Sequence, residues 1–189
     1  RSVENLTTTS KSTIWAVSQA TSMRRMNIKG NLYLHQDGGY ASGGFLADTK
    51  VAGTVSGGSQ QQWLTRNSEM SNFEGVVWNN VLVGCGSNVK GVEKGWPYAA
   101  NTVVEKTPEE VEKPFLTVND GEYSVFVPKV KNNTVAVSWS GDKVDGEFID
   151  LDKFYVAKPG DSAAKINSQL NAGKNLILTP GIYSLDAPI

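Results

Sequence analysis

The chain has 189 residues, 39% of them hydrophobic and 20% charged, and carries a formal net charge of −1 at pH 7. That composition supports a buried core and argues against a chain that stays disordered throughout. With no Lys/Arg block and no apolar run of membrane-spanning length, it also argues against a nucleic-acid or membrane-inserted partner.

Residues 1–90 are rich in Thr, Ser, Asn, Gly, Val and Trp and poor in sustained helix formers. Short β-prone segments separated by turns read as strands over Asn5 to Thr9, Thr13 to Val17, Arg25 to Lys29, Asn31 to Leu34, Phe45 to Val51 and Trp78 to Val83. An apolar-any-Gly tripeptide recurs along them as Ile28-Lys29-Gly30, Val51-Ala52-Gly53 and Leu82-Val83-Gly84, with Leu6 standing 22 residues before Ile28. A recurrence of that length on short strands is the mark of a wound solenoid. Aligned on its glycines, the repeat puts Arg25, Asp48 and Asn79 in one column and Met26, Thr49 and Asn80 in the next. In a parallel solenoid such columns stack roughly 4.8 Å apart. Ile28, Val51 and Leu82 then fill the inside, and each glycine permits the turn into the next strand. The third interval is 31 residues against 23 for the second, which predicts a loop within Thr54 to Gly75.

Residues 86–113 are less regular and read as a surface connection, with Trp96-Pro97-Tyr98 as packing residues. A hairpin follows, Phe115 to Val118 and Tyr123 to Val127 around Asn119-Asp120-Gly121, then a strand over Thr134 to Trp139 and a turn at Gly141-Asp142. The last forty residues change character. Phe154 to Ala157 reads as a strand, Asp161 as the cap of a helix running to about Asn171, and Gly173 as its left-handed stop. Asn175 to Leu178 and Ile182 to Leu185 read as strands flanking Thr179-Pro180-Gly181. Both ends look cut, so the rest of a longer chain is expected.

Two stretches carry a family resemblance. Gly160-Asp161-Ser162-Ala163-Ala164-Lys165-Ile166-Asn167, followed by Gly173-Lys174-Asn175-Leu176-Ile177-Leu178-Thr179-Pro180-Gly181-Ile182-Tyr183, resembles the opening coil of pectate-lyase-like right-handed β-helices. Met23-Arg24-Arg25-Met26-Asn27-Ile28-Lys29-Gly30, with Ser59 to Glu69, resembles secreted microbial and fungal proteins loosely named after coagulation-factor-type domains. These in turn resemble exo-β-1,3-glucanases of glycoside hydrolase family 55, which set two β-helices side by side. The resemblance implies an all-β, right-handed parallel β-helix with one short capping helix. Residues 1–90 would be coils of a first lobe, 91–153 a connection bearing the hairpin, and 154–189 the start of a second lobe. It further implies an extracellular carbohydrate-active protein, a glycoside hydrolase acting on a neutral polysaccharide such as β-1,3-glucan. A glycan-binding protein without turnover and a polysaccharide lyase are the alternatives.

Glycosidic cleavage needs two carboxylates, about 5 Å apart for retention and roughly 6.5–9.5 Å for inversion. Asp48 and Glu69 are 21 residues apart, near one coil, and are the candidate pair. Arg66 and Asn67 are candidates to bond sugar hydroxyls, Trp63 to stack on a pyranose ring, and Gln61 and Gln62 to bind a neutral glycan through planar amides. The competing reading makes Asp48 half of an ion-pair ladder and Trp63 a core residue. His35 is the only histidine and Cys85 the only cysteine, which leaves no metal cluster, triad or internal disulfide to build; no cofactor is expected. Cys85 reads as a small core residue. The sequons Asn5-Leu6-Thr7 and Asn132-Asn133-Thr134 favour secretion.

Overall fold

Side chains of a strand alternate between its two faces, so a coil of short strands can bury one row inside and leave the other in water. The computed structural model shows this pattern; it describes residues 2–16, 19–37, 39–75, 78–86, 101–139 and 144–189. The expected turn at Gly141-Asp142 and the Trp96-Pro97-Tyr98 segment lie outside those residues. The chain divides into two units, residues 1–111 with 130–144 and residues 112–129 with 145–189. The stretch read as one connection is therefore shared between both.

The first unit is a parallel β-helix. Its strands are β1 (Ser2–Glu4), β2 (Thr7–Thr8), β3 (Ser12–Ile14), β4 (Gln19–Arg24), β5 (Asn27–Ile28), β6 (Asn31–Tyr33), β7 (Ser42–Ala47), β8 (Lys50–Ser56), β9 (Gln62–Arg66), β10 (Glu69–Glu74), β11 (Asn79–Val83) and β12 (Asn101–Val104). One sheet runs β1-β4-β7-β9-β11-β12, and β2, β5, β8, β10, β6 and β3 form the other. The inward rows stack by register: Met23 on Leu46, Leu46 on Thr65 and Thr65 on Leu82 in the first sheet, Ile28 on Val51 and Val51 on Met70 in the second, then Leu32 on Val55 and Val55 on Phe73. Apart from Thr65, these residues make the hydrophobic core together with Met26, Leu34, Trp63 and Cys85.

The two sheets meet at a corner that the sequence hides. Asn5, Arg25, Asp48, Asn67 and Gly84 all have left-handed φ, between 45° and 61°. Backbone bonds tie each coil's corner to the next: Arg25 N–H donates to Ala47 O at 3.1 Å, Asp48 N–H to Arg66 O at 3.1 Å, and Asn67 N–H to Val83 O at 2.9 Å. Asn and Asp tolerate this conformation better than other residues with a Cβ. Arg25 is held in it by donating Nε–H to Asn5 Oδ1 at 2.7 Å and by an ion pair with Glu4. Just past the corner, Met26 N–H donates to Thr49 Oγ1 at 3.3 Å and Thr49 N–H to Ser68 Oγ at 3.2 Å, an internal hydroxyl ladder that satisfies buried backbone.

Several expectations are corrected here. Ile28 and Val51 do share a column, as do Arg25 and Asp48, but Leu82 belongs to the other sheet, and the third members are Met70 and Asn67. Thr8, not Leu6, pairs with Ile28. The expected loop in Thr54 to Gly75 contains a full coil, β9 and β10, whose corner is Asn67 rather than glycine. Gly30 and Gly53 serve close approach instead of turning: a Cβ on Gly30 would run into the Lys11 carbonyl, and one on Gly53 into the Asn31 amide. The strand expected over Thr134 to Trp139 ends at Thr134; Lys131–Thr134 pairs antiparallel with Thr107–Glu110.

In the second unit Phe115–Asn119, Glu122–Pro128 and Gly146–Asp150 form an antiparallel sheet. Asp120 and Gly121, at φ 49° and 86°, make the expected tight turn, since both central residues of a primed turn need positive φ. Phe126 packs between Phe115 and Phe148, with ring centroids 5.4 and 4.9 Å away. Further on, Phe154–Ala157 and Asn175–Leu178 pair in parallel around α1 (Ala163–Asn171). The helix cap is Ser162, whose hydroxyl accepts from Lys165 N–H at 3.2 Å. Asp161, the expected cap, instead accepts from Lys158 N–H, Tyr155 Oη and Lys165 Nζ. Ile182 to Leu185 is not a strand; Tyr183 Oη donates there to Ala157 O at 2.8 Å.

Candidate functional site

The outward row of the first sheet places Ser22 beside Phe45, Phe45 beside Leu64 and Leu64 beside Val81. The next outward row pairs Gln62 with Asn79, and at Gly43 it has no side chain. Gly43 is held at φ 86° while its N–H donates to Gln60 Oε1 at 3.0 Å. Gln60 is buried, and its Nε2 donates to Leu34 O at 2.7 Å, so this amide is spent on fixing the backbone. The result is a cleft of about 870 Å³ whose lining includes Ser22, Ser42, Gly43, Phe45, Gln61, Gln62, Leu64 and Asn79. No lining residue is charged.

Phe45 is the lining residue with charged neighbours. The Arg24 and Arg66 guanidinium carbons, from strands on either side of β7, sit 4.6 and 5.6 Å from its ring centroid. Cations over an aromatic face are attracted by the ring quadrupole, which holds all three side chains in place. Sequence reasoning included Arg66 but missed Phe45, Arg24, Ser22 and Asn79, because only strand register brings these together.

The other expected site residues are dispersed. Asp48 is fully buried; Oδ1 accepts from Ser138 N–H at 2.6 Å and Oδ2 from Ser138 Oγ at 2.7 Å, while its carbonyl accepts from Trp139 Nε1 at 2.6 Å. Asn67 is equally buried, donating to Thr134 Oγ1 at 2.9 Å and accepting from Thr107 Oγ1 at 2.7 Å. Both corner residues therefore bind other parts of the same unit, Thr107, Thr134, Ser138 and Trp139, to the coil. Trp63, 3% exposed, lies in the core across Gly44, although it also borders the cleft. Glu69 starts β10 on the second sheet, paired with Lys50 at 3.1 Å, beside a smaller cleft of about 540 Å³. The structure thus does not present Asp48 and Glu69 as an open carboxylate pair.

Cys85 borders that smaller cleft, buried, with Sγ 3.5 Å from Val83 O. Burial pushes its thiol up to about 11, which leaves it protonated at neutral pH and a poor nucleophile. Among the described residues no three His, Cys, Asp or Glu side chains converge as a metal site.

Against known proteins, residues 154–189 match the family model described as the LAM55 pectate lyase-like domain. The chain is 45% identical over 177 residues, 93% of its length, to an exo-beta-1,3-glucanase of Streptomyces sp. (strain SirexAA-E / ActE), of which it covers 29%. Among solved structures it resembles sacteLam55A of Streptomyces sp. SirexAA-E with TM-score 0.91 and 43% identity, covering 98% of this chain and 34% of that one. A variant of the same protein in complex with glucose gives TM-score 0.90 at 43% identity with the same coverage, 98% and 34%. The chain spans about a third of the length of the proteins it matches. Over the part it spans, it is a pectate-lyase-like β-helix protein similar to the glycoside hydrolase family 55 glucanases.

Proposed function

We propose that this chain is part of a secreted glycoside hydrolase that acts on β-1,3-glucan. One observation carries the reading: the 45% identity to an exo-beta-1,3-glucanase extends over 93% of the chain, not over one motif. The large cleft agrees in chemistry. Uncharged amides and hydroxyls suit a neutral glycan, and the Arg24 and Arg66 guanidiniums lie over the Phe45 ring rather than among the lining residues. A second reading, glycan binding without turnover, is favoured by the cleft's lack of any carboxylate, since hydrolysis needs two flanking the scissile bond.

The protein is incubated with laminarin, pustulan and polygalacturonate, and reducing sugar and unsaturated uronides are assayed. Reducing sugar from laminarin is the expected result. Binding without products supports the second reading, and unsaturated uronides overturn both. In the same assay Glu69→Gln is expected to keep hydrolysis, because Glu69 is engaged with Lys50. Loss of turnover in a normally folded Glu69→Gln protein assigns this carboxylate to catalysis.

A further inference from the structure

One short stretch of chain binds the corners of successive coils. Ala136 N–H donates to Gly84 O at 2.8 Å. Asn67 Nδ2 donates to Ala136 O at 3.3 Å and to Thr134 Oγ1 at 2.9 Å, and Ser138 donates both N–H and Oγ–H to Asp48. Gly84, Asn67 and Asp48 turn consecutive coils, so the stretch runs along the stack against the order of winding. Neighbouring coils lie about 4.8 Å apart, whereas two extended residues span about 6.6 Å. A fully extended chain therefore overruns the corners, and Ala136 takes up the excess with φ 68°. There its Cβ crowds the following carbonyl oxygen. Among the described non-glycine residues with left-handed φ, Ala136 is the one without a polar side chain to offset that strain.

Apolar anchorage of this stretch is slight. Val137 is its one buried side chain, while Val135 is 41% exposed. Segments with few buried apolar contacts open locally at lower free energy than the core they lie on. Val135 and Ala136 also share the lining of the smaller cleft with Lys50, Glu69, Met70 and the buried Cys85. We propose that Thr134 to Trp139 form a strap that opens as a unit of its own, uncovering Cys85 while the coils stay wound. Strain at Ala136 favours release, and the paired bonds from Ser138 to Asp48 favour closure. The device is independent of the glucan reading, since it needs only the corner geometry.

Cys85 is the only cysteine, so its labelling reports on this place alone. The probe is an aryl disulfide, dithiobis-nitrobenzoate. The Cys85 thiolate, its proton lost to solvent, bonds one sulfur, and the other leaves as coloured thionitrobenzoate. Labelling rates are measured in native buffer and in urea below the unfolding transition, beside amide hydrogen exchange. The rate is expected to rise with urea far less steeply than global unfolding does, because opening the strap exposes little surface. Ser138→Ala, which loses one of the two bonds to Asp48, is expected to label about tenfold faster. Ala136→Gly, which adopts the left-handed backbone without a Cβ, is expected to label roughly fivefold slower. The Ala136 and Ser138 amides should exchange in step with labelling. A wild-type rate with the urea dependence of global unfolding overturns the strap. So does a weakly urea-dependent rate that neither variant moves, because Cys85 is then reached by another path. Should Ser138→Ala fail to fold, the slowing in Ala136→Gly alone decides.

Discussion

Replacing Asp48 separates a structural carboxylate from a catalytic one. Both its oxygens are taken by Ser138, at 2.6 and 2.7 Å, and the residue is 0% exposed. Hydrogen bonds to a charged group contribute about 1.5–3 kcal/mol each, and Asp48→Ala also leaves the Ser138 N–H without its acceptor. Alanine must in addition adopt φ 49°, where the side chain no longer helps, at a cost of about 1 kcal/mol. Because the two bonds share one residue and do not simply add, the expected loss is about 3–5 kcal/mol. For a chain of this size that lowers the melting temperature by roughly 6–20 °C. Asp48→Asn keeps the shape and tolerates the left-handed backbone. Its carbonyl accepts from Ser138 N–H, and its NH₂ donates to the hydroxyl oxygen, so only the charge is lost, about 1–2 kcal/mol. Thermal unfolding followed by circular dichroism should therefore rank wild type above Asn above Ala. An Ala variant that melts with wild type refutes the clamp. An Asn variant with normal melting and no laminarin hydrolysis makes Asp48 catalytic after all.

Gly44→Ala drives a Cβ into the Trp63 ring with no positive φ involved, so the cost is pure overpacking, about 1–3 kcal/mol, read as a lower urea midpoint; an unchanged midpoint shows that the ring can move aside. Asp161 is held down to about 2, first by the hydrogen bond from Lys165 and then by Lys158 N–H and Tyr155. Its folded value lies below the ordinary 3.8, so its contribution is present above that pH and fades as pH falls towards 2. A carbon-detected NMR titration of Asp161 with its midpoint near 3.8 refutes the cluster. Cys85 has the opposite sign: a thiol raised from 9.0 to about 11 stabilises the fold below pH 9, and that contribution is lost as pH climbs through 11. Native protein at pH 8 should resist iodoacetamide while guanidinium-unfolded protein reacts; rapid native alkylation contradicts the burial.

Local chemistry was readable wherever neighbours in sequence are neighbours in space. The Asp120-Gly121 turn and the helix stopping at Gly173 (φ 83°) follow from residues close along the chain, and the 23-residue step from Ile28 to Val51 follows from a recurring tripeptide. The coil of β9 and β10 was missed because its corner is Asn67, which looks like any polar residue until its φ of 45° is seen, and because Met70-Ser71-Asn72 lacks the apolar-any-Gly mark. Gln61 and Gln62 stood out as planar amides suited to a neutral glycan, but nothing linear pairs them with Asn79, Ser22 or Phe45. Nor does it reveal that Asp48 reaches Ser138, ninety residues on. What the sequence determined by itself is the winding, since alternation and chain reversal are short-range. What only the tertiary structure decided is which polar groups are spent and which remain open, because that depends on how one coil registers on the next.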